Sequence, residues 1–434
     1  MGPGPEAAAA GGGAEGEPAP EGPAAGGAVT PAPYKTSTPQ LAFGGEWGPT
    51  KRQTALQKAP TPQCHAGTLV NLPEGRIMAA WFGGSYEKAE DVGIWFSVRE
   101  RNGAWAAPKL AAKKFRNAKY NFRGHAPKNE PPKKGREPHW NPVLFCEGTA
   151  QKDICDGEIS LFFKIGWEIP KWETYVTRTA DGGATWSDPE PLVAGDHGGR
   201  GPVKNKPILL ADGAWLAPAS LEGKDKSSFE RDLGWQGRRK PWRAFADRSD
   251  DGGRTWAASA VVWPEKADHG MIQPTLWESA PGTVHMLCRS TKSDSARIWR
   301  SSSTDGGKTW SKPKPSALPN NNSGLDVALL PHSHTLVLVY NPTVTDRTPL
   351  RVSISEDNGH AWTLSIDLET EKGHVRAGHE YSYPAVIPWP ATSREEGFSV
   401  FYTWHRKRMA FYSTSLREFK AQAQQSKIAA HPRS

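Results

Sequence analysis

The stretch Thr179-Ala-Asp181-Gly-Gly183-Ala-Thr185-Trp186 recurs as Ser249-Asp-Asp251-Gly-Gly253-Arg-Thr255-Trp256 and as Ser303-Thr-Asp305-Gly-Gly307-Lys-Thr309-Trp310. A fourth copy, Ser355-Glu-Asp357-Asn-Gly359-His-Ala361-Trp362, lacks only the threonine, and a worn copy runs from Ser97 to Trp105. Asp-Gly-Gly and Asp-Asn-Gly supply positive φ and side-chain-to-backbone bonds, the chemistry of a tight hairpin turn. The tryptophan that follows can fold back onto a sheet and cover apolar surface. Each copy therefore predicts a hairpin between two strands.

The tryptophans at 105, 186, 256, 310 and 362 are spaced by 81, 70, 54 and 52 residues. Such periods suit four-stranded blades, with longer loops in the early ones. Five hairpins and one closing blade predict an all-β, six-bladed β-propeller of four-stranded antiparallel blades. The apolar runs Leu69–Phe82, Ile159–Phe163, Pro207–Leu216, Thr283–Leu287 and Thr335–Tyr340 read as inner strands. The expected organisation is a disordered Ala/Gly/Pro-rich tail over 1–40, the propeller over 41–418 and a polar tail over 419–434. The loops 113–140 and 222–243 are expected to decorate a rim.

Composition excludes several classes. The formal net charge is +8, but the basic residues are scattered, with no helical basic stripe and no nucleic-acid motif. No apolar stretch is long enough to span a membrane. The first residues read neither as a signal peptide nor, with Glu6 where Ser or Thr is wanted, as a myristoylation site. The compartment stays open. Cys64, Cys146, Cys155 and Cys288 fit no zinc spacing, and Cys146 with Cys155 could bridge a loop. Asn321 heads a glycosylation sequon that matters only in a secreted chain. Neither a cofactor nor a metal is expected, and a monomer is.

The repeated motif resembles the Asp box of the sialidase (neuraminidase) superfamily, over about residues 60–415. The box aspartates are turn devices, so function must come from the channel mouth. The resemblance implies three arginines that clamp a substrate carboxylate, a tyrosine nucleophile activated by a glutamate, and an aspartate acid/base. Matched by motif, the tyrosine is Tyr381, with Tyr383 as fallback, and the acid/base is Asp91, with Glu87 and Glu90 as alternatives. Two arginines match Arg289 and Arg347. The first arginine is replaced by His65, and the glutamate by Gln273, which cannot act as a base. A cationic His65 would partly replace the lost arginine, and Glu380 would supply a carboxylate. Lys204, Asn205, Asn322 and Asp326 are candidate ligands for sugar hydroxyls, and Trp140 after His139 and Trp404-His405-Arg406 are candidate sugar-stacking or rim residues. The expectation is a sialidase-like exo-glycosidase acting on a terminal acidic sugar of a glycoconjugate. The alternatives are an acidic-polysaccharide lyase or His-dependent glycosidase, and a propeller that binds acidic glycans without turnover.

Overall fold

The structure is a computed structural model that describes residues 53–54, 59–112, 137–146, 153–196, 199–222, 242–264, 270–291, 296–371 and 378–430. The expected tail over 1–40 lies outside these residues, as do 113–136 and 223–241 of the two expected rim loops.

Six four-stranded antiparallel sheets form the blades of a β-propeller. Blade I is Gln63–Asn71, Ile77–Gly84, Gly93–Arg99 and Lys109–Ala112; blade II is His139–Cys146, Ile159–Ile165, Glu173–Thr179 and Glu190–Pro191. Blade III is Ile208–Leu209, Trp215–Leu221, Arg243–Ser249 and Ala257–Ala258; blade IV is Met271–Ala280, Thr283–Ser290, Arg297–Ser303 and Lys314–Pro319. Blade V is Asp326–Leu329, Leu336–Tyr340, Leu350–Ser355 and Leu364–Glu369. Blade VI takes Tyr381–Pro388, Gly397–Trp404 and Arg408–Ser415 from the end of the chain, and its fourth strand, Gln53–Thr54, from the beginning. Closing the ring with strands from both chain ends removes the open edge that a linear array would leave.

Each of the four full motif copies joins the third strand of its blade to the fourth. In blade III the Asp251 carboxylate accepts from Ser249 Oγ (2.8 Å), Thr255 N (2.8 Å) and Thr255 Oγ1 (2.6 Å). The Thr255 bonds foremost hold this carboxyl well below its usual range. Gly183 has φ 90°, and a Cβ there would lie 2.6 Å from Phe96 of the preceding blade. Trp186 meets the same Phe96 edge-on at 5.4 Å, so the turn also mortises blade II to blade I.

The apolar runs expected as inner strands are mainly second strands. Ile159–Phe163, Thr283–Leu287 and Thr335–Tyr340 all lie one strand out from the axis, and the other two runs straddle first and second strands. The reason is burial: second strands are covered on both faces and read as continuous apolar runs, whereas first strands must carry polar groups into the channel. The C-terminal stretch also differs from a polar tail. Leu416–Ala430 is a helix, and Leu416, Phe419 and Ala423 bury in the core shared by blades V and VI. Cys146 and Cys155 form a disulfide. No helix among the described residues is long and apolar enough to cross a membrane.

Candidate active site

The first strands of blades I, II, IV and VI share one irregularity. His65 pairs with Phe82 and Thr68 with Ala80, so four residues face three. The same shift falls between Trp140 and Val143, Ile272 and Thr275, and Ser382 and Ala385. Each bulge contains a residue of positive φ: Ala66 at 55°, Asn141 at 34°, Gln273 at 50° and Tyr383 at 50°. Non-glycine residues rarely adopt such angles, and they concentrate where a fold re-aims a side chain. Proline follows in three cases (Pro142, Pro274 and Pro384), where the missing N–H suits the interrupted ladder.

Two of these bulge residues meet at one cation. Arg289, at the end of the second strand of blade IV, donates through Nη1 to Gln273 Oε1 (2.8 Å) and to the Tyr383 hydroxyl (2.7 Å). Its Nε donates to Asn322 Oδ1 (2.8 Å). Among the described residues these hydrogen-bond partners are all neutral, so the guanidinium keeps its charge for an incoming anion. Arg347 lies over the Tyr383 ring, its Cζ 5.4 Å from the centroid, and the His65 ring packs on the same tyrosine at 4.1 Å.

Beside this group lies a buried carboxylate. Glu380 accepts from Arg347 Nη1 (2.6 Å), Arg406 Nε (2.7 Å) and Ser382 Oγ (2.5 Å). Burial would raise its carboxyl, but Arg347 and Arg406 help to hold it well below the usual range. Arg406 also binds Glu87. The three arginines and two glutamates leave one net positive charge at the mouth.

Several expected residues stand elsewhere. Tyr381 is fully buried in the core between blades V and VI, and its hydroxyl donates to Glu371 Oε2 at 2.5 Å. The bulge explains the exchange: it breaks the alternation that would put residues 381 and 383 on one face, and aims Tyr383 at Arg289. Asp91 takes the Ser85 amide (3.0 Å) and hydroxyl (2.6 Å), which fixes the turn that carries Glu87; Glu87, not Asp91, reaches the cluster. Glu380 is engaged by arginines and does not bond Tyr383. Burial opposes the cationic form expected for His65. Burial first, then Arg406, hold its ring well below its usual value, although Glu380 lies 3.9 Å away.

Lys204, Asn205 and Asp326 sew first strands together across the channel. Lys204 Nζ donates to Asn205 Oδ1 (2.7 Å), Leu325 O (3.2 Å) and Pro384 O, and Asn205 Nδ2 donates to Pro274 O (2.9 Å). Burial lowers the Lys204 ammonium to about 7. Asp326 binds Lys206 Nζ (2.9 Å), Thr275 Oγ1 (2.7 Å) and Val386 N (2.9 Å). With these polar atoms satisfied by neighbouring blades, they have little left for a sugar hydroxyl.

Glu371, His379 and His405 place three metal-type ligand atoms within 4.8 Å of one another. His405 Nδ1 accepts the Glu380 amide (3.0 Å), which assigns the ring proton to Nε2, where it points to Glu371 (3.3 Å). A metal at Nε2 would have to displace that proton, so the trio fits an ion a poor second to its own hydrogen bonds. A cavity of about 270 Å³ opens at the opposite end of the channel, lined by Leu69, Leu144, Leu276 and Val327. Its walls are mostly apolar, and the chemistry gathers at the other mouth, which is therefore the candidate site.

Sequence reasoning gave Arg406 only as a sugar-stacking or rim residue. No local signal linked Arg406 to Glu380, since their contact is tertiary. The X-Pro pairs at 141, 273 and 383 were a usable signal for the bulges.

Six blades with Asp-box turns and an arginine–tyrosine cluster at one mouth define a propeller of the sialidase type. The sequence matches the BNR repeat-like domain over residues 75–394, and the chain belongs to that family. No curated protein matches it. Among solved structures, the Hadza microbial sialidase Hz136 is similar with a TM-score of 0.60 and 15% identity, over 82% of this chain and 66% of that one. A protein of unknown function from Dyadobacter fermentans matches with a TM-score of 0.59 and 16% identity, over 82% of this chain and 95% of that one. The leech intramolecular trans-sialidase matches with a TM-score of 0.58 and 13% identity, over 86% of this chain and 71% of that one. These likenesses establish the fold.

Proposed function

We propose that this protein is an exo-acting glycoside hydrolase that removes a terminal carboxylate-bearing sugar, sialic acid or a relative, from a glycan. The observation that carries the reading is Arg289: a cation bonded to neutral acceptors, 2.7 Å from a phenolic oxygen that a strained bulge aims at it. Arg289 and Arg347 receive the sugar carboxylate, because planar guanidinium forks match it. Tyr383 passes its phenolic proton to water at the mouth as its oxygen bonds the anomeric carbon, and Arg289 stabilises the phenolate character of that oxygen. The glycosidic bond breaks as the leaving oxygen takes a proton from Glu87, a partly exposed carboxyl that reaches the cluster through Arg406. Water then releases the sugar from the tyrosine.

One observation favours a second reading. No carboxylate is a described hydrogen-bond partner of Tyr383, and a neutral His65 packs on its ring. A base of that kind also suits elimination from an acidic polysaccharide, with the arginines neutralising the carboxylate. The test is a fluorogenic α-sialoside incubated with the protein from acid to neutral pH, beside a uronate polysaccharide followed by ultraviolet absorbance. Release of the fluorophore supports hydrolysis. An absorbing, unsaturated product supports elimination. Acidic-glycan binding with no product from either substrate overturns both enzymatic readings.

A further inference from the structure

Three of the four bulges converge on one tripeptide, Val203-Lys204-Asn205, which leads into the first strand of blade III. Its backbone is pinned to that blade, where Val203 N donates to Pro218 O (3.1 Å). From there each residue reaches a different neighbour. Val203 O accepts from Nδ2 of Asn141, the bulge residue of blade II (3.0 Å). Asn205 Nδ2 donates to Gln273 O (3.3 Å) and Pro274 O (2.9 Å) in the bulge of blade IV. Lys204 Nζ donates to Pro384 O, next to the bulge residue Tyr383 of blade VI, and lies 6.0 Å from the centroid of the Tyr383 ring. A Cβ at Gly324 would stand 3.2 Å from Lys204 Cε and 3.5 Å from Tyr383 Cγ, so the bare glycine leaves the two room to meet. All three residues of the tripeptide are buried.

We propose that Val203-Lys204-Asn205 is the positioning element of the site, in which Lys204 and Asn205 hold the bulges that aim Tyr383 and Gln273 at Arg289. This rests on the functional reading above and adds to it what fixes the two side chains on the cation. A bulge breaks the ladder that would otherwise hold its carbonyls, and the tripeptide supplies donors in place of the lost ones. Lys204 is suited to this by count. An ammonium has three N–H donors, and Asn205 Oδ1 (2.7 Å), Leu325 O (3.2 Å) and Pro384 O take all three. A neutral amine has two and turns a lone pair on the third acceptor, so only the charged form holds Tyr383 in place. The charged groups that face the ammonium are Asp326, Lys206 and Arg289, beside the Tyr383 ring. Burial brings Lys204 down to about 7, so the hold weakens as pH rises through that value.

The experiment compares the full-chain wild type with Lys204→Met, which removes the donors, and Asn205→Asp, which keeps an acceptor for Lys204 but removes the donor to blade IV. The readouts are kinetics on the α-sialoside from acid to alkaline pH and crystal structures of each variant. Lys204→Met should lower kcat roughly ten- to a hundredfold, the range for losing a hydrogen bond to a charged group, with KM within about threefold because the arginines stay. Its crystal should show the Arg289–Tyr383 contact opened. Asn205→Asp sets a carboxylate on the ammonium, so the alkaline fall in kcat should move to higher pH, an effect that loss of packing alone would not produce. In its crystal the Gln273–Arg289 contact should open while the Arg289–Tyr383 contact remains. An unchanged kcat or an unmoved Arg289–Tyr383 contact in Lys204→Met, or an alkaline limb that does not move in Asn205→Asp, overturns the proposal. If Lys204→Met does not fold, the crystal of Asn205→Asp decides: a Gln273 that leaves Arg289 supports the proposal, and one that stays overturns it. Absence of turnover in the wild type would end the functional reading alone, since the two crystal structures still decide the positioning role.

Discussion

Replacing Glu380 by glutamine tests the charge arrangement of the mouth. Its side chain is 3% exposed and stands between Arg347 and Arg406, at 2.6 and 2.7 Å. Glu380→Gln keeps the shape but removes the only charge that both arginines share. Breaking a buried pair by removing one partner costs about 3–5 kcal/mol, and the lower end is expected here because Arg347 and Arg406 are partly exposed and Arg406 keeps Glu87. The propeller's about 370 residues, at about 2.1 cal/mol/K each, give an unfolding entropy near about 0.8 kcal/mol/K. The expected fall in Tm is therefore about 4 °C, measured by calorimetry at neutral pH. The pH dependence supplies a second check. The folded carboxyl titrates well below its unfolded value, so its contribution is fully present above the unfolded pKa of about 4.3 and is lost as pH falls towards the folded value. The gap between wild type and variant should be constant from neutral pH down to that point and shrink below it. A variant as stable as the wild type at neutral pH would refute the idea that Glu380 is the counter-charge of the two arginines.

Three further outcomes follow from the same contacts. Lys204→Met leaves Asn205 Oδ1, Leu325 O and Pro384 O without their shared donor, and should lower the urea midpoint by a change worth about 3 kcal/mol, with an unchanged m value. The folded His65 ring resists protonation, so stability it contributes above a pH of about 6.5 is lost as pH falls through the folded value. His65→Gln should flatten that slope in pH-dependent melting curves. Reducing the Cys146–Cys155 disulfide, or replacing both cysteines by serine, should cost about 2.5 kcal/mol by the loop-entropy relation, read as a lower Tm.

The blades were legible because their signal is local. An Asp-Gly-Gly turn with a trailing tryptophan needs only eight residues to make its bonds, and the carboxylate of Asp251 makes them within its own motif. The inner strands were harder to place, since hydropathy reports burial and the second strands are the most buried. Motif register pointed to Arg289 and Arg347, and the structure brings both against Tyr383. Register failed at Tyr381, where a single bulge residue changes which tyrosine faces the channel. It failed again at Asp91, a residue spent on holding the turn of Glu87. Arg406 was not legible as a partner of the cluster because Glu380 and Glu87 stand 26 and 319 residues from it in sequence.

The most direct test of the account is turnover of a fluorogenic α-sialoside by the wild type, Tyr383→Phe and Tyr381→Phe, assayed side by side with their melting temperatures. The account predicts that Tyr383→Phe loses at least about a thousandfold in kcat, the scale of removing a nucleophile, and stays folded. Tyr381→Phe should keep its turnover within about threefold and lose about 1 kcal/mol of stability with the Glu371 bond. Full activity in Tyr383→Phe, or its loss in a folded Tyr381→Phe, would contradict the assignment of the mouth.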